Sequence, residues 1–272
     1  MIYWERQPGA ELRPWVRMLW YARATDCAFQ RERILPTGHA QILVSLARDF
    51  IADCQEGQPD SRMAPALVAG QRSIYEIADT ADMADLIGIV FAPGALPVFL
   101  ADAADRVTNC HVALEDVCRS GRGLRERLQD ASGPYEKLRC LECFLRERLA
   151  ERWGTTLHPA VEFALEEFGR APSMARVPEV AWETGWSERR FSQIFREEVG
   201  FSPKVWCRIQ RFQRVVRQLH RGDEVTWPEL ALECGFYDQS HLANEFRAFS
   251  GISPTGYTAV PEKRWVNHLR VG

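Results

Sequence analysis

Along the first hundred positions, apolar residues come in short runs. "VRMLWYARA", "AQILVSLA" and "DLIGIVFA" are brief, rich in branched or aromatic residues and separated by turn formers such as "PTGH" and "EGQPDSRM". That pattern predicts β-strands. From about residue 112 the spacing changes, and in "PYEKLRCLECFLRERLAERW" Leu138, Leu141, Leu145 and Leu149 recur at the interval of one helix face. "GTTLHP", 154 to 159, reads as a boundary, and an all-helical region opens beyond it with "PAVEFALEEF". The expected fold class is α+β: a β-rich domain with a helical appendage over residues 1–154, then an all-α domain over residues 155–272.

The second half repeats itself. "PEVAWETGW" (178–186) matches "PELALECGF" (228–236), pairing Pro178 with Pro228, Ala181 with Ala231 and Gly185 with Gly235. After one extra residue, Tyr237, Phe195 pairs with Phe246, Gly200 with Gly251 and Pro203 with Pro254. Each copy predicts a short helix, a glycine turn and a second helix, over about 174–200 and 226–251. Ser187 and Asp238 are expected to cap the second helices, and Thr226 with Glu229 forms a capping-box pattern. Phe191, Phe195 and Val199, and Leu242, Phe246 and Phe249, give each second helix an apolar stripe. The other face carries Arg189, Ser192, Gln193 and Arg196 in the first copy, and Gln239, Ser240, Ala243, Asn244 and Arg247 in the second. Between the copies, "PKVWCRIQRFQRVVRQLHRG" predicts one long helix with Val205, Ile209, Phe212, Val216 and Leu219 inward and Lys204, Arg208, Arg211, Arg214 and Arg217 outward. A rod of fixed length between two such units suits a ligand that repeats about every 34 Å, as B-DNA does.

The composition, 46% hydrophobic and 26% charged over 272 residues, supports globular domains with real cores. The net charge of −3 by itself does not point to nucleic acid, but residues 189–221 carry nine Lys or Arg against two Glu. A basic segment sits inside an acidic protein. The apolar runs are broken by Gly and Pro and fall short of a membrane span, and "MIYWERQPGAELRPW" lacks the layout of a signal peptide. Scattered cysteines fit reduced thiols, so a cytoplasmic protein is expected.

With these motifs the chain resembles the AraC/XylS-type transcription regulators, whose DNA-binding region holds two helix-turn-helix units joined by a long helix. The resemblance covers roughly residues 158–260 and is carried by "GFYDQSHLANEFRAFSGISPTGY" and, more loosely, by "GWSERRFSQIFREEVGFSPKVW". "LRPWVRMLWYA", "LPTGHAQILVSL" and "VFAPGALPVFL" are similar to the N-terminal domain often attached to such regulators, which implies a barrel-like, cupin-like sensing or dimerising domain. The implied function is sequence-specific regulation of transcription through double-stranded DNA. Small-molecule effector, RNA polymerase and a second copy of the chain are the further partners left open; no cofactor, membrane or catalysis is expected.

Asn and Gln can pair with adenine, and Arg with guanine, at base edges. Arg189, Ser192, Gln193, Arg196, Gln239, Ser240, Asn244 and Arg247 are therefore the base-contact candidates, with Arg190 and His241 at the margin. Lys204, Arg208 and Arg211 are the phosphate candidates. Cys140 and Cys143 have the spacing of half a zinc site, which offers a metal- or redox-responsive alternative, but they lie on a helix already explained by its leucine stripe and are expected in the core. A cupin-like enzyme would need clustered histidines, whereas His39, His111, His158, His220, His241 and His268 are dispersed. His39 is a candidate for lining a ligand cavity or for a structural place.

Overall fold

The strand that sets the N-terminal architecture has no solvent face. In the computed structural model, which describes residues 2–24, 30–54, 59–100, 102–152, 155–170, 176–222, 226–260 and 265–271, Leu19 and Tyr21 point into one core while Trp20 and Ala22 enter another. This two-sided burial explains the near-continuous apolar runs of the first hundred residues.

Among the described residues ten strands build this half: β1 (Ile2–Arg6), β2 (Val16–Arg23), β3 (Arg31–Ile34), β4 (Gln41–Ser45), β5 (Ile51–Asp53), β6 (Ser61–Met63), β7 (Ala66–Ala69), β8 (Glu76–Asp79), β9 (Leu86–Phe91) and β10 (His111–Ala113). An eleventh, β11 (His268–Arg270), comes near the far end of the chain. An antiparallel sheet runs β1-β2-β9-β4-β7-β10, a second runs β11-β3-β8, and β5 pairs with β6. Gly88 in β9 lets the ring of Trp20 lie against the sheet, since a Cβ there would come within 2.5 Å of it. The expected barrel-like domain is corrected in one respect: among the described residues no pairing joins edge strands β1 and β10, so the sheets face each other without closing into a barrel.

The helices are α1 (Leu96–Phe99), α2 (Leu114–Val117), α3 (Leu124–Asp130), α4 (Pro134–Glu151), α5 (Pro159–Arg170), α6 (Val177–Glu183), α7 (Glu188–Val199), α8 (Pro203–Arg221), α9 (Trp227–Glu233), α10 (Gln239–Ser250) and α11 (Pro254–Ala259). α4 lays Leu138, Leu141, Phe144 and Leu145 on the outer core of the large sheet. Cys140 packs beside them, half-buried, and burial pushes its thiol up from its ordinary range. Cys143 is exposed. The expectation of two core cysteines is thus corrected for Cys143, which falls outside the leucine stripe. Among the described residues no group of three or more His, Cys, Asp or Glu is arranged to hold a metal ion.

The helical core gathers Phe191, Phe195, Phe212, Phe246 and Tyr257, and it also takes in Leu35 and Leu269. β11 follows the last helix and pairs antiparallel with β3, setting His268 opposite Ile34 and Arg270 opposite Glu32. The region expected to be all-α therefore ends in a strand of the N-terminal sheet. Gln213 of α8 donates to the carbonyl of Pro36 at 2.9 Å, the Tyr75 amide to the carbonyl of Phe249 at 2.9 Å, and Thr108 to the carbonyl of Gly200 at 2.8 Å. The expected boundary at Gly154 lies outside the described residues, as do positions 174 and 175 at the start of the first repeat. Among the described residues no helix is long and apolar enough to cross a membrane.

Candidate nucleic-acid interface

Each repeat is held by the same bonds at matching places. The Gly185 amide donates to the carbonyl of Trp182 at 2.9 Å and Trp186 to Ala181 at 3.3 Å; Gly235 donates to Leu232 at 3.0 Å and Phe236 to Ala231 at 2.8 Å. Both turns need glycine for its backbone, since φ is +75° at Gly185 and +82° at Gly235. At Gly185 there is open space for a Cβ, so conformation rather than crowding selects the residue.

Ser187 accepts the Arg190 amide at 3.3 Å and Asp238 accepts the His241 amide at 2.7 Å, so both second helices start on side-chain caps. Thr226 differs from expectation. It stands at the cap position of α9, yet its hydroxyl donates to the Glu229 carboxylate at 2.6 Å and accepts no backbone amide. The carboxylate is a stronger acceptor than the hydroxyl is, and it draws the proton to itself.

On α7, Phe191, Ile194, Phe195 and Val199 are buried; on α10, Leu242, Phe246, Phe249 and Ser250 are. That leaves Arg189, Arg190, Gln193 and Arg196, and Gln239, Ser240, His241, Asn244 and Arg247, exposed, with Ser192 half-buried. Arg189, Gln239, Ser240, Asn244 and Arg247 take up no side-chain partner among the described residues. Gln193 donates to Glu197 at 2.9 Å, in a string along α7 that includes Arg190.

Two candidates are placed otherwise than their helical positions suggest. Arg196 lies 3.5 Å from Asp105 of the N-terminal half, because α7 packs there. Arg208 forks onto Glu245 of α10 with two bonds of 2.7 Å and covers the ring of Phe249. Burial raises the Glu245 carboxyl, but the hydrogen bonds from Arg208 and the charges of Arg208, His241 and Arg211 together outweigh it and the net shift is downward. A bidentate pair of this kind fixes orientation as well as charge, and it ties the connecting helix to the second recognition-like helix. Lys204 is exposed, and Arg211 is half-buried with its guanidinium over Phe236.

One feature of the surface escaped the sequence reading. Trp182 and Leu232, at matched positions of the repeat, are 80% and 67% exposed on α6 and α9, and Tyr237 is 86% exposed before α10. The repeat alignment sets Trp182 against Leu232, and the shared apolar character at an outward position was the available signal.

Residues 180–259 match the family model described as a helix-turn-helix domain. The chain carries an AraC-type helix-turn-helix domain. Ahead of the helix-turn-helix domain, residues 5–113 match a model described as a domain of unknown function (DUF6597). Over 89 residues the chain is 33% identical to the HTH-type transcriptional regulator Rv1931c of Mycobacterium tuberculosis, covering 33% of this chain and 34% of that protein. The chain thus spans about a third of the length of this curated relative. The DNA-binding domain of AdpA, solved in complex with a target DNA, is 29% identical, with 37% of this chain and 90% of that one covered and a TM-score of 0.34. ToxT of Vibrio cholerae is 9% identical, with 94% and 96% covered and a TM-score of 0.43.

Proposed function

We propose that the chain is a sequence-specific transcription regulator that binds double-stranded DNA in the cytoplasm and acts by binding, not by catalysis. The observation that carries this reading is the doubled helix, glycine turn and helix, each copy presenting a polar face from a capped second helix. On α10 that face, Gln239, Ser240, Asn244 and Arg247, holds no acidic side chain, and the helix's one glutamate is neutralised by Arg208. Base edges in the major groove ask for such donors and acceptors. We assign base contacts first to Arg189, Gln193, Gln239, Ser240 and Asn244, and phosphate contacts to Lys204 and Arg211.

The division we favour puts a regulatory domain before about residue 154 and the DNA-binding domain after it, with β11 as a tether back to the first. The bonds across that division support control of DNA binding by a signal taken up in the N-terminal half. Trp182 and Leu232 leave apolar surface beside the recognition helices that suits RNA polymerase, and half-exposed Ile2 and Trp4 on edge strand β1 suit a second copy of the chain.

The test is selection of binding sites from random DNA with the full chain, followed by mobility shifts at several salt concentrations. The expected result is an enriched sequence with two segments one helical turn apart, bound with steep salt dependence. Equal affinity for enriched and random DNA would sink the reading.

A further inference from the structure

The second helices α7 and α10 end on glycines at matched places of the repeat, Gly200 and Gly251. Both glycines lie against one short loop of the N-terminal half, residues 70–75 between β7 and β8. A Cβ on Gly200 would fall 1.3 Å from the Nε2 of Gln71, and one on Gly251 would fall 2.5 Å from the ring of Tyr75. No side chain fits at either place, so the loop meets the bare backbone ends of both helices at once. Hydrogen bonds give each approach a direction. Buried Gln71 donates from Nε2 to the carbonyl of Ala104 at 2.9 Å and to the Thr108 hydroxyl oxygen at 2.7 Å, and that hydroxyl donates on to the carbonyl of Gly200 at 2.8 Å. At the other end the Tyr75 amide donates to the carbonyl of Phe249 at 2.9 Å. Arg33 lies over the Tyr75 ring and donates to the carbonyl of Ser250 at 3.2 Å. The carbonyls so engaged belong to helix C-termini, where donors within the helix run out.

The loop itself is braced. The Asn109 amide donates to the carbonyl of Gln71 at 3.0 Å, and the Asn109 side chain accepts the Ser73 amide at 2.8 Å. Asn109 holds φ at +60° to do so, a left-handed conformation that a residue other than glycine keeps when its surroundings impose it. Four peptide steps separate Gln71 from Tyr75, a reach of at most about 14 Å. The connecting helix α8 fixes a separation along its own axis, but not by itself the angle at which each unit stands about that axis. DNA is demanding in angle, since one base pair more or less turns a segment by about 35°.

We propose that Gln71 and Tyr75 are positioning residues for DNA recognition: the loop between β7 and β8 sets the angle between α7 and α10, and so the number of base pairs accepted between the two DNA segments. This rests on the reading of α7 and α10 as base-reading helices and adds a specificity held by the N-terminal half. Arg72, Ile74 and Tyr75 of the same loop also border a cavity of about 830 Å³ between the facing sheets and the residues after α11, with Trp265 in its wall. The setting of the loop is thereby within reach of a molecule that fills the cavity.

The experiment uses the full chain and the DNA obtained by site selection, in mobility shifts at one salt concentration. Duplexes carry both selected segments at the selected spacing, both with one or two base pairs inserted or removed between them, or one segment alone. The wild type is expected to lose at least about tenfold in affinity for a change of one base pair. In Gln71→Ala and in Tyr75→Ala that loss should fall below about threefold, while affinity for each single segment stays within about twofold of wild type. Tyr75→Phe keeps the ring against Gly251 and should keep the wild-type profile; a profile flattened as in Tyr75→Ala overturns the assignment to the ring. Melting curves establish folding, and Thr108→Val, which removes the hydroxyl donor to Gly200, stands in for Gln71→Ala if that variant does not fold. A spacing profile that the alanine variants leave unchanged overturns the proposal. So does a loss on single segments as large as that on paired ones, which marks a merely structural role. A wild type selective for sequence yet indifferent to spacing overturns the positioning role and leaves the DNA-binding reading intact. A chain that selects no sequence overturns the reading on which the proposal rests.

Discussion

His39 carries a charge rule that its neighbours impose. It borders the cavity, its Nε2 stands 3.1 Å from Arg17, and its ring meets that of Trp206 edge-on. Burial first, then the charges of Arg17 and Arg217, push its pKa down from 6.5 to about 3. The unfolded chain therefore binds a proton that the folded one refuses between these values, and stability contributed by neutral His39 is lost as pH falls below 6.5. The loss is at most about 1.4 kcal/mol per pH unit. Asp82 works in the opposite sense, because burial raises its pKa to about 6 and its protonation favours the folded state on acidification. The stability difference between wild type and His39→Gln isolates the histidine: it should shift in favour of the variant between pH 6.5 and 5, and a constant difference in urea titrations would contradict the assignment. At the DNA face, Arg189→Ala and Asn244→Ala should each relax selectivity at one or two positions, worth about 1 to 3 kcal/mol against the wrong base. Lys204→Ala should weaken all sequences alike and flatten the salt slope by about one. Equal loss on specific and random DNA for both of the first two variants would move recognition to neighbouring residues. The outward positions of Arg189 and Asn244 were legible from helical spacing, whereas the partners of Arg196 and His39 were not, since they come from elements far away in sequence.

Helices with a clear stripe were read correctly from it, and α4, α5, α7, α8 and α10 all lie where the spacing put them. What spacing cannot show is a helix buried on more than one side. α8 hides Trp206 and Gln213 as well as Ile209, Phe212 and Val216, because the N-terminal half packs against a flank beside the predicted stripe, one to which the sequence reading gave no side. Arg208 makes this measurable. Its fork onto Glu245 predicts that Arg208→Ala costs about 1 kcal/mol of stability and leaves the salt slope of DNA binding where it was, the reverse of the pattern at Lys204. A double-mutant cycle with Glu245→Gln should return a favourable coupling between the two; additive losses would mean that the pair contributes nothing beyond its parts. The strand pairings were illegible for a related reason: β3 reads as three charged residues and an isoleucine, and nothing in those four residues names β11 as its neighbour.

The two halves share a core, which gives the whole molecule one predicted unfolding behaviour. Leu269 is 1% exposed among residues of the helical domain while its strand belongs to the N-terminal sheet. Leu269→Ala should cost about 2 to 4 kcal/mol and lower the urea midpoints of helix signal and tryptophan fluorescence together. A shift in one alone would show that the halves unfold independently and that residues 155–272 stand by themselves, as their repeat suggests. The pairing of β11 with β3 also sets a schedule during synthesis. Strand β3 emerges from the ribosome early and must wait, with its outer edge unpaired, until the chain has been made past residue 270. A nascent chain stalled after α11 would already hold both helix-turn-helix units, yet its cavity would stand open where Trp265 belongs. Chains cut short there would then carry both helix-turn-helix units without the strand that ties them back to the first half.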